Sequence, residues 1–218
     1  MPLLLYGVTE VRGNVLDLPT GVGGAQVQRI EVSGLSCFYS LNSTLSGIPP
    51  RESALQFHGV LQAILSAQDI IPFRFPTLVT DAELQSQVQE HAAEYHEWLA
   101  RIRGRVQMEM RIEYRDLEQD SAKADAGEVS GTKYLRARQK RLSMLEAAAG
   151  VLKSKAADFI QGWRQRSSSD RLRCFALVRR EVVADFRHRM GSAEISSALT
   201  ARISGPWPAM EFFREDRK

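Results

Sequence analysis

The chain has 218 residues, enough for one large domain or two small ones. Its apolar fraction of 44% supports a buried core, and 29 basic against 26 acidic residues leave a mild net charge of +3. No apolar run approaches the roughly 20 residues that span a bilayer. Cys37 and Cys174 lie far apart without C-x-x-C spacing, which gives neither a disulfide framework nor a zinc site.

The continuous apolar run Leu3 to Val8 predicts a first strand buried on both faces. Pro2 to Tyr6 is too short for a signal-peptide core and lacks a basic lead-in, so a cytoplasmic location is the default expectation. Residues 19–25 are rich in glycine. A phosphate-cradling loop needs a helix after it, but the apolar residues that follow, Val27, Ile30 and Val32, have strand spacing, so the glycines read as a turn. Val27 to Val32 and Leu35 to Leu41 then form a hairpin around Ser33-Gly34. Pro49-Pro50 starts a helix whose apolar face is Ala54, Phe57, Leu61, Ile64 and Leu65, with His58 at its edge as a packed or capping residue.

Ile70 to Thr77 is the most informative stretch. Ile70 and Ile71 run into Pro72, Arg74 stands between Phe73 and Phe75, and Pro76 follows. The two prolines remove ladder donors, so the stretch reads as a short strand leaving a core and making a rigid turn. Arg74 points away from both phenylalanines. It either satisfies carbonyls or a carboxylate at a domain seam, or forms an anion site. Thr80-Asp81-Ala82-Glu83 is a capping box, and the helix it opens is expected to run to about Arg103. Glu90, His91, Glu94 and His96 resemble a metal set, but His91 and His96 fall about 140° apart on a helix, which argues against shared coordination. Gly104 ends the helix and marks the domain boundary.

Residues 105–115 alternate strictly, with Val106, Met108, Met110, Ile112 and Tyr114 on one face and polar residues on the other. That pattern is a strand half buried and half wet. Residues 116–130 are polar and acidic and read as a surface loop. A long helix over about 131–161 follows, with a heptad-like seam through Leu135, Leu142, Leu145, Ala149, Leu152, Ala156 and Phe159. Arg138 occupies one seam position, so the N-terminal end of the helix is expected to project. Two readings stay open: a helix lying across a sheet, or an arm that meets a partner through Leu145 and Leu152. The arginines at 136–141 and 164–180 read as a solvated face or a local basic patch. Leu172 to Val178 is a central strand, Val182 to Met190 a short helix and Leu199 to Ile203 a last strand. With Trp163 to Arg166 as a short second strand, the order is ferredoxin-like. The expected fold is therefore α+β in two domains, 1–104 and 105–218, the second ferredoxin-like with a coiled-coil-like helical extension.

Five ordered segments carry a family resemblance. Leu5-Tyr6-Gly7 resembles the L-Y-G opening of the gas vesicle protein F/L family. Pro72, Arg74, Phe75 and Thr77 look like its P-x-R-F-G-T segment, with Pro76 where glycine is usual. Gly104 to Met108 resembles its G-[KR]-V-E, with Gln107 replacing glutamate, and Gly131 to Leu135 its G-x-x-Y-L. Gly205, Pro206, Trp207 and Pro208 resemble the terminal S-G-P-W-P-P-Y-x-F, with Phe212 as its aromatic and Ala209-Met210 replacing Pro-Tyr. The resemblance implies an accessory or minor structural protein of gas vesicles, the gas-filled, protein-walled organelles that give cells buoyancy. It further implies contacts with the small hydrophobic shell protein and other accessory gas vesicle proteins during assembly, a cytoplasmic gas vesicle location, no membrane or nucleic-acid partner and no cofactor. Arg74, Phe75, Thr77, Gly205, Pro206 and Trp207 are the motif residues expected at the domain seam. Trp207 would anchor a stiff strap over about 203–213.

Nothing in the sequence points to catalysis. There is no G-x-S-x-G elbow, no G-K-[ST] phosphate loop and no D-x-D-x-D-G loop. The alternative from another class is an RNA-binding ferredoxin-like protein. That role needs aromatics on the wet sheet face for base stacking, and Phe175 is the one candidate.

Overall fold

The structure is a computed structural model that describes residues 1–13, 16–41, 50–115, 131–168 and 171–213, with residues 131–134 described by backbone alone. The expected loop over 116–130 lies outside the described residues. The chain divides into two compact units. One is Met1–Arg105 together with the residues from Trp207 onward, and the other is Val106–Pro206. The tail differs from the expected division at 105–218, because residues from Trp207 onward group with the first unit.

In the first unit, β1 (Leu3–Glu10) is flanked by β3 (Leu35–Leu41) on one side and by β4 (Ile71–Pro72) and β5 (Leu78–Val79) on the other, and β2 (Val27–Val32) pairs outside β3. The strand order is β2-β3-β1-β4, with β5 also on β1. Leu3 to Thr9 are all buried, as a strand covered on both faces requires. The β2–β3 hairpin turns at Ser33 and Gly34, whose φ angles of 51° and 76° are the two left-handed values of a tight hairpin turn.

Helix α1 (Pro50–Ala67) contributes Phe57, Val60, Leu61, Ile64 and Leu65 to the core. The predicted helix from 81 to 103 is two helices, α2 (Asp81–Glu90) and α3 (Ala92–Ile102). The break is His91, whose φ of −102° and ψ of 10° leave the helical region. Its ring also bonds the Gln87 carbonyl, 2.9 Å away, so the side chain competes with the helix for that acceptor.

In the second unit, β6 (Arg105–Tyr114), β7 (Ile160–Ser167), β8 (Arg171–Arg179) and β9 (Leu199–Trp207) form a sheet of order β7-β8-β6-β9. Helix α4 (Gly131–Lys155) packs on β8 and on α5 (Val183–Gly191). The fold is thus α+β with two antiparallel sheets. Val106, Met108, Met110 and Ile112 of β6 are fully buried, as the alternation implied. Gln107 on the opposite face is 6% exposed, so that face is wet only in part.

Helix α4 ends at Lys155 rather than near 161. Ala156 leaves the helix at φ −107°, a short 3₁₀ turn covers Ala157–Phe159, and β7 starts at Ile160. Phe159 therefore leaves the helical seam and meets the Phe186 ring edge-on, with centroids 6.5 Å apart. The final strand runs past Ile203 to Trp207, so the start of the strap is regular sheet.

Candidate interaction surfaces

The central motif is built onto β1. Pro72 pairs with Gly7 and Ile71 with Val8, while Leu78 and Val79 pair with Leu4 and Leu3. Between these two pairings the chain leaves the ladder, and on its other edge β1 has an irregularity between Leu5 and Gly7 in its pairing with β3. The Phe73 N–H donates to the Tyr6 carbonyl at 2.9 Å, and the Leu5 N–H donates to the Thr77 carbonyl at 3.0 Å. Thr77 Oγ1 closes the turn by donating to the Arg74 carbonyl. The prolines therefore sit where the ladder asks for no donor.

Side chains tie the motifs together around Tyr6, which is fully buried. Its hydroxyl lies 3.1 Å from Ser40 Oγ and accepts the Val22 N–H at 3.0 Å. Its ring stacks on Phe57 at 5.1 Å, and Phe57 meets Phe75 at 4.9 Å. Gly7 beside it is sterically required, because a Cβ there would lie 2.6 Å from Ile70 Cδ1 and 2.8 Å from the Ile71 carbonyl. Tyr6 is a hub that none of the motifs marks as one. The signal was present, since a tyrosine inside a fully apolar run must find a buried partner for its hydroxyl.

The strap follows the same logic. The His58 ring, next to Phe57 on α1, packs on the Trp207 ring at 5.0 Å. Phe213 stacks on Trp98 at 5.6 Å and is 8% exposed. Phe213 lies one residue beyond the motif's Phe212. Trp207 itself is half-buried. Arg187 donates to the Gly205 carbonyl, and the Gly205-Pro206 and Phe75-Pro76 peptide bonds are cis. Phe57 and His58, neighbours on one helix, thus receive Phe75 and Trp207. Thr77 is a turn lock, and Arg74 is exposed, with no carboxylate partner for its guanidinium among the described residues.

Leu145 and Leu152 require a correction. They are 0% and 1% exposed, buried with Ala148, Ala149 and Ala156 in the core of their own unit. A leucine already covered by its own sheet has no surface left for a partner. The free part of α4 is its start, where every residue from Leu135 to Lys140 is exposed and Leu135 keeps 61% of its surface in solvent. Arg138, at its seam position, is flanked there by Arg136 and Lys140. The signal in the sequence is a run of basic residues with no carboxylate between Gly131 and Glu146.

Other chemistry is confined. Burial pushes the Cys37 and Cys174 thiols up to about 12, so both stay protonated at neutral pH. His91 bonds the Gln87 carbonyl and His96 lies 3.1 Å from the Ser33 carbonyl, so the two rings are engaged separately. Among the described residues no three His, Cys, Asp or Glu side chains converge on one point. Phe175 is fully buried, which removes the stacking aromatic that the RNA-binding alternative needed.

This architecture, two antiparallel sheets with helices in an α+β order, is the fold of solved gas vesicle proteins. The crystal structure of the gas vesicle protein GvpF from an Anabaena strain superposes with a TM-score of 0.79 at 17% identity, covering 98% of this chain and 96% of that one. GvpF from Microcystis aeruginosa gives 0.77 at 14% identity, with 98% and 99% covered. At such identities the likeness establishes the fold alone. No curated protein matches the sequence. The model of the family described as gas vesicle synthesis protein GvpL/GvpF matches residues 2–214. The chain belongs to that family.

Proposed function

We propose that this protein is an accessory or minor structural component of gas vesicles that takes part in their assembly by contact rather than by catalysis. The observation that carries the reading is the family match across residues 2–214. Its partners on this reading are the small hydrophobic shell protein and other accessory gas vesicle proteins, met in the cytoplasm. It either holds an aggregation-prone shell subunit or nucleates shell growth. Two features favour a contact role. The motif residues lock backbone and rings rather than presenting a nucleophile beside a base, and α4 presents an exposed, charged start.

The second unit is read as ferredoxin-like, supported by its strand-helix-strand-strand-helix-strand order and the strand order β7-β8-β6-β9. The first turns of α4 are its extension. The test is co-expression of the tagged chain with the shell protein and the other products of its gene cluster, followed by pull-down in moderate salt. Recovery of shell or accessory proteins is the expected result. Recovery of the chain alone, with those proteins soluble and present, would reject the contact role.

A further inference from the structure

We propose that the exposed start of α4, residues 135–142, docks an acidic amphipathic helix of a protein partner. This deepens the contact role above by naming the chemistry of what is contacted, and it rests on that reading. Three observations carry it. The first is exposure on every side. Leu135 to Lys140 turn through more than a full helical turn and none of them is covered. Among the described residues the body first takes hold at Arg141, whose carbonyl accepts the Tyr114 hydroxyl at 3.1 Å and whose guanidinium lies 5.8 Å from the Tyr114 ring centre.

The second is charge that works against the helix. Its first turn holds no acidic residue, and Lys133, Arg136, Arg138, Lys140 and Arg141 all precede the first carboxylate of the helix, Glu146. Of these, Lys133 lies in the first turn, where a cation opposes the helix dipole. Arg136 and Lys140, four apart, repel each other on one face. Arg136, Arg138 and Lys140 have no carboxylate partner among the described residues. A stretch that breaks local rules without an internal gain is where an external partner is expected.

The third is the seam. Leu135 and Leu142 stand seven apart and continue the line of Leu145, Ala149 and Leu152, with Arg138 at a seam position between them. A cation at such a position selects a facing acid and fixes register, and flanking cations select acids on the partner's edges. Single-stranded nucleic acid is disfavoured because residues 135–142 include no aromatic for bases to stack on. A membrane surface is disfavoured because Leu135 is the one apolar anchor among the exposed residues 135–140, apart from the small Ala137.

The experiment uses the full chain and fluorescence anisotropy. The probes are a labelled heptad peptide with leucine at its seam and glutamate on its flanks, its lysine-flanked counterpart, poly-glutamate, poly-U RNA, and vesicles of phosphatidylcholine with phosphatidylserine. The expected result is binding of the acidic heptad at least about tenfold tighter than the basic one, lost at high salt. The Arg136→Glu/Arg138→Glu/Lys140→Glu variant should invert that preference while its thermal unfolding shows the chain still folded. Leu135→Ser should weaken the heptad but leave poly-glutamate unchanged, which separates a helix groove from bare charge attraction. Equal binding of the two heptads, no response to charge reversal, or tighter binding of RNA or vesicles would overturn the proposal. These assays use no gas vesicle protein, so their failure is distinct from failure of the pull-down.

Discussion

Helix α2 opens on a closed set of internal bonds, whereas α4 opens on charge that nothing in the described chain balances. At α2 the Thr80 hydroxyl accepts the Glu83 N–H at 3.3 Å, and Glu83 accepts the Thr80 N–H at 2.7 Å. Asp81 and Glu83 also favour the positive end of the helix dipole. The Thr80 and Glu83 N–H groups are thereby both satisfied. At α4 the first turn lacks an acid and cations follow one another along the exposed turns. The contrast separates two kinds of motif. One is explained by the fold that contains it. The other is not explained by the described residues, and its proposed explanation lies in a partner.

The largest test compares the two ends of α4. Leu152→Ala removes a side chain that is 1% exposed and leaves a cavity, at a cost of about 2–5 kcal/mol. Leu135→Ala removes one that is 61% exposed and should change stability by no more than about 0.5 kcal/mol. Denaturant unfolding of both variants measures the difference. If the two costs came out similar, the start of α4 would be packed and the division of the helix would be wrong.

Thr80→Ala tests the other side of the comparison. Loss of the cap should cost about 1 kcal/mol, read as a lower denaturation midpoint. The effect also depends on pH. The Thr80 backbone N–H, and then its hydroxyl, hold the Glu83 carboxyl below its usual value. A carboxyl with a folded value below its unfolded one stabilises the fold above the unfolded value. That contribution disappears as pH falls through the folded value. The gap between wild type and variant should therefore narrow in acid. A gap that widened in acid would mean that the Glu83 carboxylate is not what the cap holds.

Much of this architecture could be read from residue pattern, and the failures have physical causes. Alternation placed β6 and continuity placed β1, because a strand's covering determines which residues it tolerates on each face. The hairpin at Ser33-Gly34 and the box at Thr80 were legible because each rests on a few adjacent residues. The break at His91 was not, since α3 resumes the apolar stripe at Tyr95 and Leu99 and periodicity alone passes over a one-residue bend. The end of α4 was overrun for a similar reason: Phe159 keeps the seam spacing although it reaches Phe186 from a 3₁₀ turn. Leu145 and Leu152 were misread because an apolar seam is the same pattern whether a partner or the chain's own sheet covers it. The Tyr6 cluster joins residues far apart in sequence, Ser40, Val22, Phe57 and Phe75, and no local pattern predicts such a meeting.

The smallest expected effect is the most telling, because its sign is unusual. Arg136→Glu replaces a like-charge neighbour of Lys140 with an opposite one, in the favourable order of acid four residues before base. The variant should be more stable than the wild type by about 0.4–1 kcal/mol, a gain that shrinks as salt screens the pair. Most surface substitutions lower stability or leave it unchanged, so a gain would mean that the native arginine is kept at a cost. The same variant should bind the acidic heptad peptide less well. Stability that rises while binding falls is the signature of a surface shaped for a partner. If Arg136→Glu instead lowered stability, Arg136 would hold a structural role within the chain, and the contrast between the starts of α2 and α4 would collapse.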